Sequence, residues 1–369
     1  MKIFDVLNLS VYGQSHSEEI GMVLSGLPHG ATVDAEELRR FTERRKSGKY
    51  LFSTPRREDD AAVWDFGVTE SDNGKLLLDS SVKAHINNTN VRKADYGYAR
   101  TPRPSHADYV SAVKDGDNAA ASGGGRFSGR MTAPLVVAGG IAVQLLAQKG
   151  VNVGAYIGEL AGVKGKSYLD GNVPSADEIA LAHDAALPML SGAEEAEKVL
   201  SETARRGDSA GGIVECVVTG LPVGLGDAMT EGLESKLSAM LFGIPGAKGV
   251  EFGAGFSISS MTGSRANDPF VIRNGKVATS TNNAGGINGG ITNGMPVTMR
   301  VAFRPTPSVS LPQRTVDLDT MTETEITVHG RHDVCFVPRA VAAVESAVAL
   351  VILDEMLKTE NNGAVAHLT

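Results

Sequence analysis

Two stretches of this chain run in register with one another, and this internal repeat narrows the possible folds more than any other feature. Residues 13–30 read GQSHSEEIGMVLSGLPHG and residues 207–224 read GDSAGGIVECVVTGLPVG. At a constant offset of 194 positions, seven of the eighteen match without a gap: Gly13/Gly207, Ser15/Ser209, Val23/Val217, Gly26/Gly220, Leu27/Leu221, Pro28/Pro222 and Gly30/Gly224. Each copy reads as a strand, a GLPxG turn and an acidic-capped helix, so the repeat spans 13–46 and 207–242. GLPxG alone is a common turn composition. The matched glycine and serine lie ahead of the strand, outside that turn, and argue for two related halves. Such halves would pack about a pseudo-twofold axis with helices between sheets. No clean linker separates them, so residues 1–369 are expected to form one intertwined domain. The copies differ at one chemically telling position, His16 in the first against Ala210 in the second.

Residues 2–12 and 20–27 read as strands bounded by Gly and Pro. Asp34 is placed to cap a helix running to about Lys46, with Glu37 as its capping-box partner. AAVWDFGV at 61–68 reads as a strand, whereas 82–105 is polar, basic and irregular. A glycine-rich loop at 122–130 feeds an apolar helix over 131–148. Residues 151–162 read as a strand, and 175–187 and 193–205 as helices. The second copy supplies a strand over 212–219 and an amphipathic helix near 229–242. Strands follow near 249–257, 295–303 and 324–329, and Pro338 suits the first turn of a last helix. The apolar runs 132–149 and 338–357 carry Gln144, Gln148, Glu345 and Asp354, which marks them as buried helices and not membrane spans.

Charge limits the partners. A net charge of −8 and a pI near 5.6 argue against nucleic acid and against anionic membranes. Cys216 and Cys335 fit no metal or redox spacing, and MKIFDVLNLSVYGQ at the N-terminus has no signal-peptide core, so a cytoplasmic location is expected. Within this acidic chain the basic residues cluster: Arg39, Arg40, Arg44, Arg45, Lys46, Lys49, Arg56 and Arg57 are opposed only by Glu43. Arg100/Arg103, Arg126/Arg130, Arg300/Arg304 and Arg331/Arg339 form further pairs. Guanidinium forks suit a small ligand with several carboxylate or phosphate groups. His16 in YGQSHSE and His106 in PRPSHADY are candidate proton carriers at neutral pH. His329 and His332 have loose metal spacing without a third ligand, so no metal is expected. The glycine loops ASGGGRFSGR, FGIPGAKG and NNAGGINGG can bind anions through backbone N–H groups, but none has the dinucleotide-binding pattern between strand and helix.

Taken together, the segments GQSHS, RRKSGKY with TPRRE, RPSHADY, GGGRFSGRMTA, DSAGG, GIPGAKGVEFG, TNNAGGINGGITNG, RPTPS and GRHDVCFVPRA resemble the chorismate synthase family along almost the whole chain. The resemblance implies an α+β fold with helices sandwiched between antiparallel sheets in two pseudo-symmetric halves. It implies a lyase of the shikimate pathway that eliminates phosphate from 5-enolpyruvylshikimate 3-phosphate, in a trans-1,4 sense, to give chorismate. Such an enzyme serves aromatic amino acid biosynthesis, needs reduced FMN without net redox change, and is a homotetramer. NADPH or an outside reductant would supply the electrons. By the same resemblance His16 acts as acid near the departing phosphate. His106 places a proton or hydrogen bond on the flavin, and Asp333 assists proton removal. Arg45, Lys49, Arg56, Arg57 and Arg130 hold substrate anions. Arg126, Ser128, Gly289, Arg304, Thr306, Ser308 and Arg331 contact the flavin.

The chain departs from the family pattern at Ser105 in the His106 motif, at Phe127 and Met131 in the glycine-rich loop, at Pro245, and at Arg304 and Pro307 in RPTPS. Most of these fall on the expected flavin loops. Two other readings are a diverged paralogue that binds another phosphorylated carboxylate and a non-catalytic flavin-binding protein. The intact His16, His106 and Asp333 argue against both.

Overall fold

Each half of the chain builds one antiparallel sheet and ends in one long buried helix. The computed structural model describes residues 2–50, 52–54, 59–89, 100–116, 124–328, 330 and 332–363. In the first half come β1 (Asn8–Gly13), β2 (Glu19–Ser25), β3 (Thr32–Asp34), α1 (Ala35–Glu43), β4 (Val63–Glu70), β5 (Lys75–Asn87), α2 (Asp108–Asp115) and α3 (Thr132–Gln148). The second half opens with β6 (Asn152–Leu160), β7 (Val163–Lys164), α4 (Ala176–Asp184), α5 (Ala193–Arg205), β8 (Gly212–Thr219), α6 (Leu233–Phe242) and β9 (Ala247–Phe252). It continues through α7 (Gly263–Ala266), the ribbons β10 (Phe270–Arg273) with β11 (Lys276–Thr279) and β12 (Ile287–Asn288) with β13 (Ile291–Thr292), then β14 (Val297–Phe303). The ribbon β15 (Gln313–Asp317) with β16 (Thr322–Ile326) precedes α8 (Val337–Asn361).

The repeat is visible in the strand register. The first sheet runs β1-β2-β5 with β4 on β5, and the second runs β6-β8-β14-β9 behind the short β7. Asn8 pairs with Ser25, and Asn152 pairs with Thr219, the residue equivalent to Ser25 in the repeat. The GLP turns close alike: Gly26 has φ +87° and Gly220 φ +82°. A Cβ at Gly26 would collide with the Val6 carbonyl oxygen, and one at Gly220 with that of Gly150. Only glycine meets both demands at once.

The halves diverge where the helices start. Asp34 caps α1 by accepting from the Glu37 N–H, but its own N–H donates to Gln144 Oε1, so no reciprocal box forms. The expected acidic cap on the second helix is absent. Gly232 stands at that position, and the Leu233 N–H donates to the Gly290 carbonyl, so the glycine loop ending at Gly290 terminates α6 in place of a side chain. The reading of 82–105 as irregular also fails at its start, because β5 continues to Asn87. Val82, Ala84 and Ile86 are buried there while the alternating polar residues point away, which is the period-two signature of a half-buried strand. Residues 90–99 of that stretch lie outside the described residues.

α3 and α8 pack on each other between the two sheets, and buried residues of both halves form one continuous apolar core. The stretch Gly129–Gln148 is long and apolar enough to cross a membrane, yet 78% of it is buried inside the protein. It is apolar on every side because protein surrounds it. At the α3–α8 crossing, a Cβ on Gly139 would collide with Ser346. Gly139→Val should therefore destabilise the fold by about 2 kcal/mol or more, the scale of core overpacking. Urea unfolding followed by circular dichroism checks this, and an unchanged midpoint would mean that the crossing has room to spare.

Candidate active site

His16 lies on the turn between β1 and β2, and that turn is held by side chains distant in sequence. Asn88, just past β5, donates from Nδ2 to the Ser17 carbonyl at 2.8 Å, and its N–H donates to the Glu18 carbonyl at 2.9 Å. The Ser15 N–H donates to the Gly125 carbonyl at 3.1 Å, which joins the turn to the glycine-rich loop ahead of α3. Asn88 Oδ1 in turn accepts from Arg130 Nε at 3.1 Å. The histidine turn and Arg130 are thus fixed to one another through a single amide.

Arg130 and Arg45 share the buried carboxylate of Asp60. Burial alone would raise the Asp60 pKa, but the two guanidiniums hold it down at about 2. Arg45 is 2% exposed and its other donors are already committed, Nε to Thr132 Oγ1 at 3.1 Å and Nη2 to the Gly129 carbonyl at 2.9 Å. Burial pushes its pKa down to about 10, Asp60 opposes that, and Arg339 and Arg130 add to it. Arg45, expected to grip substrate, has its guanidinium turned into the protein, where it spans α1's end and α3's start. Arg130 is equally buried. The Arg45 carbonyl accepts from Arg339 Nε at 3.1 Å, and Arg339 Nη1 pairs with Asp333 at 3.1 Å. Asp333 Oδ1 also accepts from the Thr54 N–H at 2.8 Å. A continuous polar path therefore links the His16 turn, Arg130, Arg45 and Asp333.

His106 belongs to a second group. Arg103 and Asp108 form a buried bidentate pair that closes the loop around it. Nδ1 lies 3.1 Å from the Pro104 carbonyl and Nε2 lies 2.8 Å from Ser308 Oγ. A carbonyl can only accept, so Nδ1 carries the proton and Nε2 accepts from the serine hydroxyl. Burial first, then the Arg103 guanidinium with a lesser push from Arg304, holds the pKa at about 4. The ring is neutral at pH 7 and offers an acceptor at Nε2; of the two roles that the resemblance implied, placing a proton or a hydrogen bond, this state suits the hydrogen bond. The second copy of the repeat supports this group. Ser209 Oγ donates to the Thr306 carbonyl at 2.6 Å, and the Ala210 N–H donates to the Val334 carbonyl at 2.9 Å, beside Asp333. Among the described residues no hydrogen bond joins the two imidazoles directly.

The remaining expected residues are scattered more widely. Ser128 accepts from the Arg130 N–H, Arg126 pairs with Asp115 and lies 5.0 Å from the Phe127 ring centroid, and both aromatic and guanidinium are exposed. Met131 packs against the core. Lys49 is exposed over the Tyr50 ring. Gly289 is exposed in the turn between β12 and β13, with open space where a Cβ would stand. Arg56, Arg57 and Arg331 lie outside the described residues. Asn88 and Asp60 were missed by the sequence reading, and Arg339 was named there only as one of the paired arginines.

The Asp60 pair generates a sign-specific expectation. Its folded pKa is below the unfolded value of 3.8, so its stabilisation is complete above 3.8 and is lost as pH falls toward about 2. Arg45→Ala should cost about 3–5 kcal/mol of stability, since it leaves a buried carboxylate short of one partner, and should move acid unfolding to higher pH. Urea unfolding across pH 3–7 measures both effects. Wild-type stability in the variant would return Arg45 to the ligand-binding set.

Comparison with known proteins identifies the family and the fold. The family model described as chorismate synthase matches residues 7–357. A chorismate synthase of Thermococcus gammatolerans is 44% identical over 360 residues, covering 96% of this chain and 96% of the relative. One from Dehalococcoides mccartyi (strain BAV1) is 41% identical over 358 residues, covering 97% and 96%. A solved structure described as a crystal structure of chorismate synthase superposes with a TM-score of 0.74 at 24% identity, covering 96% of this chain and 93% of that one, so the layered α+β fold is shared. A whole-length family match, relatives above 40% identity and a common fold lead to one conclusion: the chain belongs to the chorismate synthase family.

Proposed function

We propose that the protein converts 5-enolpyruvylshikimate 3-phosphate to chorismate and inorganic phosphate. The observation that carries this reading is the polar path that ties the His16 turn, Arg130 and Asp333 together at the N-terminal ends of α3 and α8. Helix N-termini add positive potential there, which suits a substrate with two carboxylates and a phosphate. The reaction breaks one C–H bond and one C–O bond. The electron pair of the C–H bond enters the new diene, the proton goes to a base, and the phosphate leaves with the C–O pair. Atoms and electrons balance without an oxidant.

The chain's own groups divide this work. His16 donates a proton to the departing phosphate. Asp333, oriented by the Thr54 N–H and by Arg339, accepts the proton taken from carbon. Neutral His106 offers Nε2 as a hydrogen-bond acceptor. Reduced FMN, when bound, supplies transient electron donation that eases cleavage of the unactivated C–H bond. The residues present suit a flavin with its polar edges. Thr306 Oγ1 is buried and has no hydrogen-bond partner among the described residues, and Ser308 lies two residues along the same segment. NADPH is the reductant to compare with dithionite. Both cysteines are buried free thiols, which suits the reducing cytoplasm. The paralogue and the non-catalytic reading lack any observation that favours them.

We also assign the protein to a homotetramer. Phe270, Ile272 and Val277 are each more than 60% exposed on the β10–β11 ribbon. Ile272 pairs with Val277, and Phe270 lies two residues along the strand, so all three share one face. A second copy would remove that face from water. Sedimentation velocity should give four protomers, and Ile272→Glu should lower the number. A monomeric parent protein would overturn this assignment.

An anaerobic assay with dithionite-reduced FMN tests the reaction. Chorismate and phosphate should appear in equal amounts with no net loss of reduced FMN, and oxidised FMN alone should give no product. His16→Ala should lower turnover by about 10²–10⁴ while leaving thermal unfolding nearly unchanged. Product formation without any flavin, or full activity in His16→Ala, would sink the proposed mechanism.

A further inference from the structure

The hydrogen bonds of the His106 ring go to Pro104 and Ser308, and Arg304 holds the residue in front of it. Its Nη1 donates to the carbonyl of Ser105. Ser105 has φ +59°, a left-handed conformation that an L-residue disfavours by about fivefold to thirtyfold. Reverting that torsion would swing the 105–106 peptide and carry the imidazole away from the Pro104 carbonyl and Ser308 Oγ, the two atoms that fix its tautomer.

Arg304 is itself anchored from behind. Its N–H donates to the Gly246 carbonyl at 3.1 Å. A Cβ at Gly211 would collide with the Phe303 carbonyl, so the backbone leading into Arg304 lies directly on the second copy of the repeat. The loop past it is tied down by Ser209 through the Thr306 carbonyl. One end of the 303–308 segment therefore supplies the guanidinium that holds Ser105, and the other supplies the hydroxyl that meets Nε2.

We propose that Arg304 is a positioning residue: by holding the Ser105 carbonyl it keeps the left-handed turn closed and fixes the His106 imidazole. Resemblance alone had placed Arg304 on the flavin. The catalytic consequence rests on the elimination proposed above, whereas the positioning itself does not.

A rescue experiment separates the two roles. Glycine adopts positive φ at no steric cost, so Ser105→Gly makes the holding contact dispensable. Long-range ¹H–¹⁵N correlation spectra of the imidazoles are recorded at pH 8 on the full chain without flavin or substrate, with His106 assigned by His106→Gln. The parent protein should show one tautomer, protonated at Nδ1. Arg304→Ala should shift His106 to mixed tautomers, Arg304→Lys should retain most of the parent signature, and Arg304→Ala with Ser105→Gly should restore it. In the anaerobic assay, kcat should fall about fivefold to thirtyfold in Arg304→Ala with KM within about twofold, and should recover in the double variant. An unchanged His106 signature in Arg304→Ala overturns the proposal. So does a rise in KM that Ser105→Gly fails to relieve, which would place Arg304 on the ligand. Restored imidazole spectra with no chorismate from any variant would refute the elimination and leave the positioning role standing.

Discussion

The close approach of α3 and α8 at Gly139 and Ser346 governs the rest of the structure. Because Gly139 has no side chain, two long helices can lie against each other in the middle layer, each covering the sheet of its own half. The loops that enter those helices, 124–131 and 332–336, then meet around Arg45. That one buried arginine binds the first loop through the Gly129 carbonyl and receives Arg339, in the first turn of α8, on its own carbonyl. The position of the chemistry follows from how closely the middle layer packs.

Duplication explains why one imidazole suffices. In the first half the turn before the inner strand faces the arginine group and carries His16. In the second half the equivalent turn is packed against 303–306 and 334, where Ser209, Ala210 and Gly211 support the His106 group. An asymmetric substrate needs the acid once. Small residues in the second turn allow two backbones to touch: a Cβ at Gly211 would collide with the Phe303 carbonyl, and Ala210 packs against the core. The two copies contribute to the same region by different means, one as a reactive group and the other as its foundation.

Much of this was legible in the sequence, and the failures have physical causes. The 194-residue offset anticipated the matching sheets because strand, turn and glycine torsion are local properties. Asp34 anticipated the start of α1 for the same reason. β5 has no counterpart in the sequence reading, which took 82–105 as irregular, because Lys83 and His85 obscure the alternation of Val82, Ala84 and Ile86, which only a facing core makes evident. The cap of α6 comes from Gly290, far along the chain, and no local signal reports it. Arg45 looked like the exposed Arg39 and Arg40 because inward orientation depends on Asp60, and that carboxylate sits in an unremarkable polar stretch. His106 was found by its motif, but its neutral, acceptor state depends on burial and on Arg103. Nothing in the letters RPSHAD discloses that Ser105 is left-handed.

The two ends of the fold are also joined by hydrogen bonds. The buried carboxylate of Asp354 on α8 accepts the backbone N–H groups of Asp5, Val6 and Leu7, at 2.8, 2.8 and 2.7 Å. These donors lead into β1, and Leu7 is 347 residues from its acceptor. A ribosome makes that acceptor long after it has made the donors, so these three N–H groups are left to water during most of synthesis. The first half carries the same sheet plan as the second but is not self-sufficient during translation. Its leading edge reaches the Asp354 acceptor only when α8 arrives, so completion of the first half waits for the last helix.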